Sequence, residues 1–299
     1  MASSPIKGLI AALVVFGIIL GFGLLFFYPE IEKPAAGEAG GEAQAMHVIS
    51  HQDWTFAGMT GHYDRAQLQR GYKVYKEVCA ACHAMRLMRY RNLAEAGGPG
   101  FTEGQVETLA AEAEVEEIGE DGSPVARPGK ASDPFKSPFP NANAARSANG
   151  GALPPDLSVI AKARGLHGET PWYQAPLVWF RDIVTGYQEG GPDYIHALLT
   201  GYEEAPSGFQ LADGMNYNTA FQGNQIAMPA PLGDGQVEYT DGSPATVDQY
   251  SRDVTAFLMW AAEPHLEARK QLGIRVLIYL LVMAGVFWLA KRALWSRLH

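Results

Sequence analysis

The residues able to do chemistry are concentrated in one pentapeptide, Cys79-Ala80-Ala81-Cys82-His83. Its cysteines are the only two in 299 residues. Two thiols separated by two residues and followed at once by an imidazole form the attachment signature of c-type haem. Each thiol adds across one haem vinyl group, and the histidine falls under the iron as proximal ligand. The vinyls lie on neighbouring pyrrole rings, so both sulfurs must project from one short turn. Three other chemistries use a C-x-x-C pair. Half of a zinc site needs two further ligands, and no second cysteine pair exists to supply them. A redox dithiol needs no following histidine and opens a helix after a strand, whereas the stretch before Cys79 reads as helix. A structural disulfide across two residues is strained.

An electron-transfer haem with six ligands needs a residue opposite His83, and methionine there raises the potential relative to a second histidine. Of nine methionines, Met85 and Met88 are too close to His83 to reach the far face. Met259 falls in a late helix, and Met1 and Met283 fall at or in apolar runs. Met46, Met59, Met215 and Met228 remain. Met228 stands in Gln225-Ile226-Ala227-Met228-Pro229-Ala230-Pro231-Leu232, where flanking prolines stiffen the loop and suit a ligand that must hold one position. Core packing is the plain alternative for a lone methionine. His167 or His196 as a second histidine ligand, or an open sixth position, are the others.

Several elements must position these groups. Leu68, Tyr72, Tyr75 and Val78 recur at helical spacing, and Asp64 can cap the start, which predicts a helix over 64–79 running into the cysteine motif. Residues 97–158 are predicted mostly irregular. Gly97-Gly98-Pro99-Gly100 breaks the chain, and 101–123 carries eight acids and no base, part of it a candidate solvated helix. Five prolines in 133–155 predict loop there. Long loops of this kind need a surface to pack on, and a haem macrocycle supplies one. Pro192 opens a short helix to Leu199. A longer helix over 246–262 buries Val247, Tyr250, Val254, Phe257, Leu258 and Ala261, and Pro264 then interrupts the chain. Strand patterning is sparse.

Gly8–Tyr28 is 21 uncharged residues, long enough to cross a bilayer and longer than a signal-peptide core. A second apolar run covers Leu272–Ala290, with Arg275 near its start and Lys291, Arg292 and Arg297 after it. Basic flanks mark the cytoplasmic side. The expected topology is a hairpin with both termini cytoplasmic, and Pro34–Ala45 reads as a linker. Covalent haem attachment takes place on the outer face of the membrane, which agrees with a periplasmic location for the intervening chain. Residues 30–273 hold all 32 acids but only 18 of the 23 bases, a net charge of −14. That disfavours nucleic acid and suits a basic protein partner.

Four stretches resemble one known family: QLQRGYKVYKEVCAACH at 67–83, ARSANGGALPPDLS at 145–158, IAMPAPL at 226–232 and AFLMWAAEPHLEARKQLG at 256–273. GGPDYIHALLTGY at 190–202 also fits. The family is cytochrome c1, the haem c subunit of the quinol–cytochrome c oxidoreductase (cytochrome bc1 complex), in its proteobacterial form. The resemblance implies a mainly α-helical, class I cytochrome c-like haem domain with long loops. Four segments are expected: a membrane helix or uncleaved signal over 1–29, a linker over 30–60, a periplasmic haem domain over 61–265 and an anchor over 266–299 in a bacterial inner membrane. It implies one covalent haem c on Cys79 and Cys82, with His83 and Met228 as axial ligands, Arg146 on a propionate, and Asn149 and Leu153-Pro154-Pro155 lining the pocket. The acidic region around 103–121 matches a variable insert that helps dock cytochrome c.

The implied partners are cytochrome b, the Rieske iron–sulfur protein, a soluble or membrane-bound cytochrome c, and a second copy of the complex. The chain would carry single electrons and make no substrate bonds of its own. Two features depart from the family: the retained N-terminal segment, and the lack of the second cysteine pair that some bacterial relatives place before the axial methionine. Another membrane-anchored cytochrome, such as an oxidase subunit, a thiol–disulfide oxidoreductase and a structural assembly protein are the alternative functions.

Overall fold

The computed structural model describes residues 49–296, apart from 121, 165–172, 174–175 and 181–189. The Gly8–Tyr28 run, the Pro34–Ala45 stretch, Met46 and His167 lie outside the described residues. Mainly helical, the domain is organised around two helices that cross its core. Helix α1 spans Arg65–Glu77, and the Asp64 carboxylate caps it by accepting from the backbone N–H of Ala66 and Gln67. Leu68, Tyr72 and Tyr75 are buried as their spacing predicts, while Val78, just past the helix end, is half-buried. Among the described residues the haem-bearing part also contains α2 (Glu103–Ala111), α3 (Ala142–Ala148), α4 (Ile160–Ala163), α5 (Gly191–Thr200) and α6 (Val247–Ala262).

Helix α6 starts on the Thr246 cap and buries Tyr250, Val254, Phe257, Leu258 and Ala261; Val247 is only half-buried. Burial extends well beyond that stripe, to Ser251, Asp253, Thr255, Ala256, Met259 and Trp260. The reason is that α1, α4 and α5 all pack on α6, so it has almost no solvent face. The α1–α6 contact is close enough to require glycine. A Cβ at position 71 would stand 2.1 Å from the Asp253 carbonyl oxygen. Beside it, Arg70 donates to the fully buried Asp253 carboxylate through Nε at 2.8 Å and Nη2 at 3.2 Å. Gln249 adds a third bond to that carboxylate at 2.9 Å.

Residues 97–158 depart from the irregular stretch expected. Besides α2, they contain an antiparallel hairpin, β1 (Glu114–Ile118) with β2 (Pro124–Pro128), in which Glu114 faces Pro128 and Ile118 faces Pro124. Acids occupy both faces of β1, so no period of two marks it in the sequence. Arg127 ties the hairpin down by bridging Glu117 and Asp133. Helix α3 arises inside the proline-rich segment because the prolines flank it: Pro138 and Pro140 precede the Asn141 cap, and Pro154 follows the end. A two-residue pairing, β3 (Asn216–Tyr217) with β4 (Gln225–Ile226), closes the loop before Met228.

Trp54 and Phe56 are buried although they fall in the stretch read as linker. The Trp54 indole N–H donates at 2.7 Å to Asp193, a buried carboxylate in the first turn of α5 that also accepts from the Gln52 backbone.

After the break at Pro264, α7 runs over Leu266–Trp295. Its mean hydropathy reaches 2.2 and its apolar stretch buries nothing within the chain, which is the profile of a membrane-crossing helix. Its first turns are fastened to the domain. The Tyr63 N–H donates to Glu267, and Lys270 donates to the Phe56 carbonyl. Lys162 of α4 and Arg269 both bind Glu263. Burial would raise the Glu263 carboxyl, but those two hydrogen bonds outweigh it and hold the group below the usual carboxylate range.

Candidate haem site

Helix α1 delivers the chain to a single turn of 3₁₀ helix at Cys79–Ala81. The backbone N–H groups of Cys82 and His83 both bond back to the Cys79 carbonyl, at 3.1 and 2.9 Å. The two thiols therefore leave one closed turn, as their spacing predicts, and they are not bridged to each other. Burial pushes the Cys79 thiol up to about 12. That is the opposite of the depressed thiol a disulfide oxidoreductase uses as its nucleophile.

His83 Nδ1 lies 2.8 Å from the Pro155 carbonyl oxygen. A carbonyl can only accept, so Nδ1 carries the proton and Nε2 keeps its lone pair. Desolvation lowers the pKa of the ring, which favours the neutral imidazole that a metal requires. Pro155 belongs to a strap laid along the turn after His83. Leu157 N–H donates to the Ala84 carbonyl at 2.9 Å, Arg86 N–H to Asp156 at 3.0 Å, and Leu87 N–H to the Ser158 hydroxyl at 3.1 Å. Sequence reasoning placed Leu153-Pro154-Pro155 only as pocket wall and missed the carbonyl that orients the histidine. The available signal was the Pro-Pro pair, which has no N–H to satisfy that acceptor locally.

Met228 is half-buried, and its backbone carbonyl accepts from the Tyr202 hydroxyl at 3.1 Å and the Asn216 amide at 3.4 Å. Among the other candidates, Met59 and Met215 are exposed, while Met85, Met88 and Met259 are core residues. His196 does not fit the second-histidine alternative. Its Nε2 is 3.0 Å from Asp248 and its ring meets Trp54 edge-on, which employs it in the α5–α6 contact. Arg146 is exposed and donates to the Gly151 carbonyl at 3.2 Å. Asn149 caps α3, with its amide donating to the Ala145 carbonyl at 2.7 Å. Pro154 is half-buried and Leu153 is exposed on the approach to the strap. The structure brings His83 and the strap together directly, and it puts Arg146 in the last turn of α3 and Asn149 at its C-cap, where the chain leaves toward the strap.

These residues fit a covalent haem. Two unbridged thiols leave one turn, and a neutral imidazole has its outer nitrogen committed. Among the described residues no three His, Cys, Asp or Glu side chains gather as a bare ion would need.

A thiol turn with an oriented imidazole, on a chain whose described residues include a long apolar helix, defines a membrane-anchored c-type cytochrome. The model of the Cytochrome C1 family matches residues 54–298. A cytochrome b/c1 of Bradyrhizobium diazoefficiens is 52% identical over 82% of this chain, which spans only 35% of that protein's length. A cytochrome c1 of Blastochloris viridis is 44% identical over 87% of this chain and 91% of its own. One from Rhodospirillum rubrum is 40% identical over 86% and 92%. The chain belongs to the cytochrome c1 family, as its motifs suggested. Its work is electron transport as the haem-bearing subunit of the cytochrome bc1 complex.

Proposed function

We propose that this chain carries one covalent haem c and relays single electrons from the Rieske iron–sulfur protein to a soluble or membrane-bound cytochrome c. When bound, the haem supplies a one-electron couple. The protein's part is ligation and environment. Cys79 and Cys82 would hold the group, and His83, through Nε2, and Met228 would supply its two iron ligands. The observation that carries this reading is the 2.8 Å bond from His83 to the Pro155 carbonyl, which fixes the imidazole tautomer before any metal arrives. Asn149 and Pro154 line the pocket from the loop leading to the strap. Quinol oxidation belongs to cytochrome b, and the assembly is a dimer. The haem domain lies in the periplasm, between a helix over 1–29 with its linker and the anchor over 266–299, with both termini cytoplasmic. The basic residues after the second apolar run support this orientation.

A quinol-reduced minus oxidised visible spectrum of the protein, purified mildly from its membrane, tests this. A c-type band appearing with b-type bands is the expected result. A c-type band without b-type partners would move the chain to another electron-transfer system, and absence of any haem band would return Cys79 and Cys82 to thiol chemistry.

Arg146 is proposed as the propionate partner, because a guanidinium binds a carboxylate through two parallel bonds and this one stands in the last turn of α3, just before the chain that reaches the strap. Arg146→Gln is expected to lower both the thermal stability of the haem form and its midpoint potential. The comparison is Arg164→Gln, at the C-terminal end of α4, where the cation acts on the half-buried Tyr194 hydroxyl. Effects confined to Arg164→Gln would transfer the propionate role to that residue.

A further inference from the structure

The loop that ends at Met228 has no covalent clamp, since both cysteines of the chain lie in the haem turn. What holds it is a lattice of side-chain hydrogen bonds to backbone groups. Asn218 is the centre and is fully buried. Its side-chain oxygen accepts from the Ala220 and Phe221 N–H groups at 3.0 and 3.1 Å, and its amide donates to the Leu198 carbonyl on α5 at 2.8 Å. Asn224 takes a left-handed backbone, with φ of 56°, and its amide donates to the Asn218 and Thr219 carbonyls. The Thr219 N–H donates to the Gly201 carbonyl at 2.8 Å. Gly201 must be glycine for this docking, because a Cβ there would lie 2.7 Å from both the Ala197 carbonyl and the Thr219 hydroxyl. The loop is thus fastened to the C-terminal end of α5. That helix is itself pinned to α6 by His196 and to Trp54 by Asp193.

The last bonds of the lattice fall on Met228 itself. Tyr202, next after Gly201, donates its hydroxyl to the Met228 carbonyl, and the Asn216 amide reaches the carbonyls of Met228 and Ile226. These bonds fix the backbone of residue 228 and do not consume its sulfur. We infer that Tyr202 is a positioning residue for Met228: its hydroxyl ties the methionine backbone to the end of α5, and Asn218 anchors the lattice behind it. This rests on the reading of Met228 as axial ligand. A thioether is a weak ligand that is easily displaced, so the ligand's hold depends on how firmly its backbone is kept in place.

The test uses the holoprotein in its detergent-solubilised complex, with imidazole as the competing ligand. The rate at which imidazole displaces the methionine from the oxidised haem is followed through the weak red absorption of methionine–ferric iron ligation. Tyr202→Phe keeps the ring and removes one hydrogen bond. It is expected to speed displacement roughly fivefold, the worth of one such bond of ordinary strength, and to lower the midpoint potential.

Tyr63→Phe is the matched control. Tyr63 also donates to backbone carbonyls, those of Met259 and Glu263, but at the membrane end of the domain. It should lose similar thermal stability and leave the displacement rate and potential unchanged. Equal rates in Tyr202→Phe, Tyr63→Phe and the unaltered protein would overturn the positioning role. Met228→Leu separates that failure from a wrong ligand assignment: if the red absorption survives in this variant, Met228 is not the ligand and the reading beneath the inference falls. Should Tyr202→Phe fail to assemble, Asn216→Ser offers the same readout with a smaller expected acceleration, and no acceleration there also counts against the proposal.

Discussion

Met228→Leu is expected to leave the haem attached and to lower its midpoint potential on the order of 100 mV or more, within the range over which axial ligands tune haem. Two separate parts of the chain produce these two outcomes. On the proposed reading, attachment depends on the closed turn at 79–83, whose hydrogen bonds make no use of residues beyond the strap at 155–158. Potential would depend on Met228 as the proposed second ligand. A thioether favours the reduced iron, and leucine offers no lone pair, so the oxidised form gains relative to the reduced one. Redox titration of the purified variant checks the shift, and the haem-to-protein ratio checks attachment. A potential that does not move would reassign the sixth ligand. Loss of haem in this variant would mean that the 216–228 loop is needed for attachment as well.

Arg70→Met is expected to cost about 3–5 kcal/mol of folding stability, the loss typical when one member of a buried ion pair is removed. The magnitude follows from the asymmetry of the pair. Asp253 has no exposed side-chain surface, and without Arg70 it is left with neutral donors such as the Gln249 amide and no cation bonded to it. The additional contact of Arg70 with Asp241 contributes little, since that carboxylate is well exposed. Denaturant unfolding of the variant holoprotein measures the loss. The double variant Arg70→Met, Asp253→Leu should recover much of it by removing the stranded charge. A cost under ~1 kcal/mol for the single variant would show that water reaches Asp253, and that the pair behaves like a surface bridge.

The chemistry of this chain was legible where it depends on spacing along the backbone. The cysteine turn, the Asp64 cap, the Pro192 helix opening and the break at Pro264 all follow from local residues, and each is found where the pattern puts it. What was illegible depends on partners distant in sequence. The carbonyl that orients His83 comes from 72 positions away, and no periodicity announces it. The β1–β2 hairpin was hidden because its strands carry charge on both faces. Helix α6 looked one-sided because Ser251, Asp253 and Thr255 are polar, yet the fold buries them by supplying partners for Ser251 and Asp253. His196 offered a ligand's chemistry, and only its bond to Asp248 shows that the ring is used in packing.

The junction between α6 and α7 has a consequence for traffic. The central helix of the haem domain ends at Ala262 and the membrane helix begins at Leu266. Around those few residues, Tyr63, Glu263, Glu267 and Lys270 cross-link the two parts. This is a weld, without the loose tether that would let a domain swing on its anchor. A cytochrome built this way is a fixed station. With the haem domain held at its anchor, the proteins proposed to load and unload it would have to do the travelling.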